Sequence, residues 1–389
     1  MVHKLPGMKG LLLLRMVGLP AVLTLASTPL LSVPLSPPPP PPIFSTGEQL
    51  LLRWVPGEVR CAGHVVVPVL MQKPNVSTNY TRSSDTQTYH FRIDGAGRIL
   101  SVVNKKGLSF TAIGDDVGAA LTASTFSAGA PQSDCSVEYR SVPTPMEEAP
   151  VADLIAYTLI FPQRELPAAL WKKIAGVDGD CMAQPRPMPL MRAFPDFDKI
   201  ASTAGARDWV MVGYDLDAGG RPVGSHIVAG TGNSELDHAS MRAVRKSRFV
   251  NGPHKGCLSS YWRTPATLPA PVAPDPADLP STPHCPTGSR WAVPPRLIYP
   301  AVYKNRAIEG WARLSYDVAP WGETGNIQVL ASEPSAAFGQ QAMQMIRSAK
   351  KEKSLLGASG CVDTVRFVIK KVGEARSPTE FPAAPPAVD

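Results

Sequence analysis

The sequence predicts an α+β fold of three tandem modules. Each module is a β-hairpin, a helix and a third strand that form a small antiparallel sheet with the helix packed on it. The first observation is the cysteine spacing, since six cysteines fall into three consecutive pairs separated by 74, 76 and 76 positions. The second is that a similar hydrophobic pattern lies within each pair, which is the signature of an internal repeat. The cysteines are Cys61, Cys135, Cys181, Cys257, Cys285 and Cys361.

The hairpin of each module is predicted from two alternating apolar stretches around a glycine. Two stretches of period two that flank an Asp/Gly turn are typical of a β-hairpin. The turn glycines of the three modules are Gly97, Gly220 and Gly325. The stretches before them are residues 89–94, 209–216 and 311–318, and those after them are residues 98–103, 223–228 and 327–330.

A helix and a third strand follow each hairpin. Apolar residues recur at helical spacing, which predicts one buried helix face. The third strand begins at the second cysteine of each pair and covers residues 135–140, 257–263 and 361–369. Residues 153–161 read as a strand that has no place in the repeat. The helix positions are Val117, Ala120, Leu121 and Phe126; Leu236, Ala239, Ala243 and Val244; and Phe338, Ala342, Met345 and Ile346.

The even number of cysteines predicts one disulfide in each module, because the chain also carries an export signal. The predicted bridges are Cys61–Cys135, Cys181–Cys257 and Cys285–Cys361. Closing a loop of about 75 residues stabilises a fold by roughly 4–5 kcal/mol in the chain-entropy model. No two cysteines have the close spacing of a zinc site, so no metal is predicted.

The N-terminus predicts export. Basic residues precede the apolar stretch Met16–Leu25, so residues 1–26 are interpreted as a signal peptide, or as an uncleaved anchor in the inner membrane. Residues 27–47 form a proline-rich spacer, in which Pro37–Pro42 is an unbroken run that favours stiff polyproline II. The predicted location is the periplasm, with membrane association through the N-terminal segment.

Charge and motifs exclude several classes of function. The net charge is +7, but Lys and Arg are scattered, so no nucleic-acid partner is predicted. The nucleophile, nucleotide-binding and HExxH motifs are absent, which predicts a protein that is not an enzyme and needs no cofactor. A remote alternative is a hydrolase that uses His64, Asp115 and Asp116 in the first module.

The pattern resembles the TonB C-terminal domain family. In the third module the resemblance rests on Tyr299–Ala301, on Ile308–Val318 and on Gly325–Leu330. In the second module, Ser234–Phe249 is similar to the helix of the family and its basic-aromatic exit. The expected modules are residues 48–165, 166–270 and 271–375, followed by a Pro/Ala-rich tail, residues 376–389.

The resemblance implies a function. In the family the last strand is an exposed edge that pairs with a short peptide, the TonB box of an outer-membrane transporter, in energised transport. The implied partner is such a transporter or another envelope protein, bound by β-strand addition. The alternative is an envelope scaffold that is not energised and uses the repeats structurally. The peptide-binding residues implied are Tyr299, Pro300, Val362, Thr364, Arg366 and Val368.

Overall fold

The computed structural model describes residues 49–80, 82–105, 116–160, 166–176, 178–275 and 290–369. The fold is mixed α+β, with several small antiparallel sheets and few helices. The predicted signal or anchor segment, the spacer, the C-terminal tail and Cys285 lie outside the described residues.

The N-terminal unit, residues 50–145, contains the largest sheet. Its hairpin β5–β6 pairs with the long strand β7 through β5, and further strands lie on the other side of β7. The elements are β1 (Leu50–Pro56), β2 (Arg60–Cys61), β3 (His64–Val65), β4 (Ser77–Asn79), β5 (Thr86–Ile93), β6 (Ile99–Asn104), α1 (Val117–Thr122) and β7 (Gln132–Pro145).

The middle unit, residues 188–263, follows two connecting helices, α2 (Val151–Ile160) and α3 (Ala168–Ala175). Its main sheet has the order β10-β9-β12, and a separate two-stranded sheet pairs β8 with β11. The elements are β8 (Met188–Met191), a 3-10 turn (Phe197–Lys199), β9 (Asp208–Leu216), β10 (Pro222–Gly230), α4 (Ser234–Lys246), β11 (Arg248–Val250) and β12 (His254–Arg263).

The C-terminal unit, residues 291–367, has the same arrangement. Its main sheet has the order β15-β14-β17, and β13 pairs with β16. The elements are β13 (Trp291–Val293), α5 (Ala301–Asn305), β14 (Gly310–Val318), β15 (Thr324–Glu333), α6 (Ala336–Ser348), β16 (Lys350–Lys351) and β17 (Ala358–Phe367).

The three units share one strand order, in which the first strand of the hairpin pairs with the strand after the helix. In each unit an aromatic residue of that first strand lies opposite the second cysteine of a pair: Phe91 opposite Cys135, Tyr214 opposite Cys257, and Tyr316 opposite Cys361.

The turn glycine also recurs, but in the C-terminal unit it is Gly322 and not Gly325. Gly97, Gly220 and Gly322 all have positive φ, and a Cβ at each would lie about 2 Å from the carbonyl oxygen of Phe126, Phe249 or Lys351. Only glycine fits there. The prediction of Gly325 was wrong because this hairpin turns three residues earlier, and Gly325 lies within β15.

Two helical predictions are confirmed, and two local ones are corrected. The predicted apolar positions of α4 and α6 are buried. Helix α1 ends at Thr122, so Phe126 lies beyond it. Residues 153–161 were predicted as a strand, but Val151–Ile160 is helix α2. A continuous apolar run does not distinguish a buried strand from a buried helix, which explains the error.

Four apolar clusters form the core, and two of them cross between the units: one contains Ala119 and Ala123 of α1 with the C-terminal unit, and the other contains Leu51 of β1 with α2, α3 and Met211. The other two clusters lie within the N-terminal unit and the middle unit. Disulfides Cys61–Cys135 and Cys181–Cys257 form as predicted. Cys361 is also disulfide-bonded, while Cys285 lies outside the described residues, so their pairing stays a prediction.

A buried ion pair connects the units. Arg306 Nε donates to Asp116 Oδ2 at 2.6 Å, and the two side chains are 7% and 2% exposed. The same guanidinium donates to the carbonyl oxygens of Gly205 at 3.1 Å and Lys73 at 2.8 Å. One C-terminal-unit side chain therefore binds the N-terminal unit and the segment that leads into β9.

Removing the second disulfide tests its contribution to stability. We expect Cys181→Ala/Cys257→Ala to lower the free energy of unfolding by roughly 2–5 kcal/mol, because the reduced unfolded chain gains loop entropy. Urea unfolding of the full chain under oxidising conditions measures this. A loss below about 1 kcal/mol would show that the bridge is not a structural constraint.

Breaking the buried ion pair tests the connection between the units. We expect Arg306→Met to destabilise the fold by about 3–5 kcal/mol, because it leaves the Asp116 carboxylate buried without its counter-charge. The matched control is Lys350→Met, which breaks the half-exposed pair with Glu323 and should cost below about 1 kcal/mol. Equal losses in the two variants would contradict a special role for Arg306.

Candidate functional site

The candidate site is the outer edge of β17. One edge of this strand pairs with β14, from Gly310 opposite Phe367 to Val318 opposite Ala358. Among the strands of the described residues, none pairs with the other edge. A strand in this position presents a row of main-chain N–H and C=O groups that can accept a further strand.

The predicted peptide-binding residues of β17 share one face of the sheet. Val362, Thr364 and Arg366 lie opposite Ser315, Arg313 and Trp311 of β14, and directly opposed residues of an antiparallel pair project to the same side. The alternate residues Cys361, Val365 and Phe367 belong to or pack on the core cluster beneath α6. Val368, just beyond the strand, is 56% exposed.

Tyr299 lies at the C-terminal end of β17. Its hydroxyl donates to the carbonyl oxygens of Ile308 at 2.6 Å and Phe367 at 3.3 Å, and its ring packs edge-on against Phe338 and Phe367. Burial raises the pKa of this hydroxyl above its usual range, and the charge of Glu309 adds to the shift. The hydroxyl therefore remains a donor that ties the strand end to the start of β14.

Pro300 and Glu309 complete this end of the strand. Pro300 is buried and is the N-cap residue of α5, a position that suits its fixed φ and missing N–H. Glu309 Oε1 accepts a hydrogen bond from Ile369 N at 2.8 Å. The structure thus places Tyr299 against the C-terminal end of β17, and the role of Tyr299 and Pro300 in peptide binding stays a prediction.

A proline-rich segment covers the sheet face that carries these side chains. Trp311 Nε1 donates to the carbonyl oxygen of Pro271 at 3.0 Å, and Arg313 Nη2 donates to that of Pro274 at 2.9 Å. Both side chains are less than a tenth exposed. These contacts stabilise the sheet face.

The N-terminal unit shows an added strand at the equivalent edge. Tyr139 of β7 lies opposite Gln87 of β5 and also opposite Pro56 of β1, so β5 and β1 occupy opposite edges of β7. The pairing with β1 is antiparallel and runs from Pro56 opposite Tyr139 to Leu50 opposite Pro145. Sequence reasoning missed this strand, because its signal is confined to the apolar run Leu50–Leu52 before the first cysteine.

Among the described residues, the side chains named for the hydrolase alternative do not form a catalytic site. His64 is exposed in the two-residue strand β3, and Asp116 is engaged by Arg306. Asp115 lies outside the described residues.

Two further features were sought in the part of the chain that the structure describes. No three His, Cys, Asp or Glu side chains could hold a metal ion there. None of its helices combines the length and the hydropathy that a membrane span requires.

Comparisons with known proteins match the C-terminal unit. The family described as Gram-negative bacterial TonB protein C-terminal matches residues 295–370. Protein TonB of Klebsiella pneumoniae is 29% identical over 108 residues, which cover 27% of this chain and 44% of that protein. The chain thus matches less than half the length of that relative.

The solved structure of the TonB2 protein from Vibrio anguillarum is also similar in sequence. The identity is 26%, the coverage is 26% of this chain and 96% of that chain, and the TM-score is 0.19. At that score the structural likeness carries no weight. The family match, the Klebsiella relative and the hairpin–helix–strand geometry agree, and residues 295–370 of this chain are a TonB C-terminal domain.

Proposed function

We propose that this protein binds extended peptides of outer-membrane transporters by β-strand addition to β17, in TonB-linked transport. The observation that carries the proposal is that β17 of a TonB C-terminal domain pairs through one edge with β14, while no described strand pairs with its other edge. The partner's main chain would supply most of the affinity, and alternate side chains such as Thr364 and Arg366 would supply selectivity.

The N-terminal unit supports this recognition mode. There β1 adds to β7, whose place in its sheet matches that of β17, and β1 runs antiparallel to it. Main-chain groups of an exposed edge strand exchange hydrogen bonds with water for hydrogen bonds with the added strand, and the small net gain per bond repeats along the strand. The edge geometry of this chain therefore suits an added antiparallel strand.

The broader organisation follows from the same proposal. The three units would be copies of one module that occupy residues 48–165, 166–270 and 271–375, and their common strand order and turn glycines support this. Residues 1–26 would direct export or anchor the chain to the inner membrane. The protein would act in the periplasm by binding and not by catalysis.

Backbone methylation of a ligand peptide tests strand addition. Alternate N–H groups of a strand point to the same edge, so two N-terminal transporter peptides methylated on alternate nitrogens, in opposite phase, should differ. We expect one to bind the full chain at least about tenfold more weakly than the other, since it lacks the N–H groups that β17 accepts. Fluorescence anisotropy measures both affinities, and equal affinities would overturn the proposal.

The hydroxyl of Tyr299 can be tested separately. We expect Tyr299→Phe to destabilise the fold by about 1 kcal/mol and to weaken peptide binding, because the end of β17 loses a tether. The matched control is Tyr303→Phe, which removes a buried bond to Ser335 Oγ of 2.7 Å without touching β17. If both variants bind peptide like the wild type, Tyr299 has no part in positioning the edge.

A further inference from the structure

A second edge strand, β12 of the middle unit, borders a large cleft. One edge of β12 pairs with β9, from Cys257 opposite Tyr214 to Arg263 opposite Asp208. Among the described residues, no strand pairs with its other edge. In the N-terminal unit the corresponding edge, that of β7, is filled by β1.

The cleft follows this edge. It has a volume of about 2440 Å³ and is lined by the consecutive residues Leu258, Ser259 and Ser260, and by Trp262. Neighbouring residues of a strand project to opposite faces, so a cleft that touches consecutive residues runs along the strand edge. The main-chain groups at that edge are therefore accessible from the cleft.

The opposite wall comes from the N-terminal unit. Trp54 and Val55 of β1 line the cleft, together with residues 70–76. Val55 is 39% exposed, whereas the Trp54 side chain is buried in the core cluster of the N-terminal unit.

The charge of the lining indicates what that ligand is. Seven Lys or Arg side chains and three Asp side chains line the cleft. Asp208 already accepts from Thr203 and Asn233, and Asp153 is 3.4 Å from Arg53. The remaining excess is positive. Arg53 and Arg306 are paired with Asp153 and Asp116, and the other basic residues of the lining are Lys73, Lys172, Arg186, Arg192 and Arg207.

We infer that this cleft is a second peptide-binding site, in which an acidic extended peptide adds as a strand to the outer edge of β12. Main-chain groups of Leu258–Trp262 bind the peptide backbone, and the basic rim binds its carboxylates. The site goes beyond the proposed function because it uses a different strand and a different unit, and it does not depend on β17.

The probe is a seven-residue peptide of alternating glutamate and valine, and its control carries prolines at two adjacent central positions, which removes an N–H from each edge of the peptide strand. Hydrogen exchange of the full chain, read in segments by mass spectrometry, locates the bound peptide. We expect slower exchange across Leu258–Trp262 with the probe and no change with the control, which lacks the needed N–H groups. Protection confined to β17, no protection anywhere, or equal binding of the control would overturn the second site.

Charge reversal on the rim gives an independent measurement. We expect Lys172→Glu/Arg207→Glu to weaken binding of the probe on the order of tenfold, and the loss to shrink at high salt. The control Arg242→Glu/Arg245→Glu makes the same charge change on exposed positions of α4, which do not line the cleft, and should bind normally. Equal losses of affinity in both double variants would show that binding depends only on the net charge of the protein, which would contradict a specific site. Hydrogen exchange at β17 in the same samples shows whether a peptide binds that strand, so the proposed function is tested independently of the second site.

Discussion

The main-chain hydrogen bonds at the outer edge of the third strand are the constraint on which the architecture depends. A sheet of three strands with one helix has two edges, and an edge strand leaves alternate N–H and C=O groups without a strand partner. This chain handles the edge in different ways. The N-terminal unit fills it with β1 and β2, the middle unit borders a basic cleft, and in the C-terminal unit β17 has β14 as its one strand neighbour among the described residues.

The pairing of β1 with β7 shows how the outer edges of β12 and β17 could each accept an added strand. The added strand β1 runs antiparallel to β7 across seven opposed residue pairs, and both of its faces bury apolar side chains, including Leu51 and Leu52. An intramolecular strand of this kind costs little association entropy, because it is covalently attached. A peptide from another protein must offset that entropy, which is where side-chain and charge complementarity become important.

The units are joined through polar contacts as well as apolar ones. Arg306 satisfies its guanidinium with a carboxylate and two main-chain carbonyls from other parts of the fold. Such a pair is favourable only when every group is placed to bond. In the same way, Glu333 of β15 accepts from Arg92 and from Ser101 N at 2.8 and 2.6 Å. These contacts hold the C-terminal unit against the N-terminal one and leave β17 outside the contact.

Local patterns in the sequence predicted two of the disulfides, the hairpins and the apolar faces of α4 and α6. They could do so because apolar periodicity and the pairing of two cysteines are both properties of a single module. They also indicated the family of the C-terminal unit through Tyr299–Ala301 and Ile308–Val318. They did not reveal that Val151–Ile160 is helical, that β1 adds to β7, or that a cleft borders β12. Those features depend on which surfaces of distant parts of the chain meet. Only the tertiary structure decides that, because the same apolar run can be buried as a strand or as a helix.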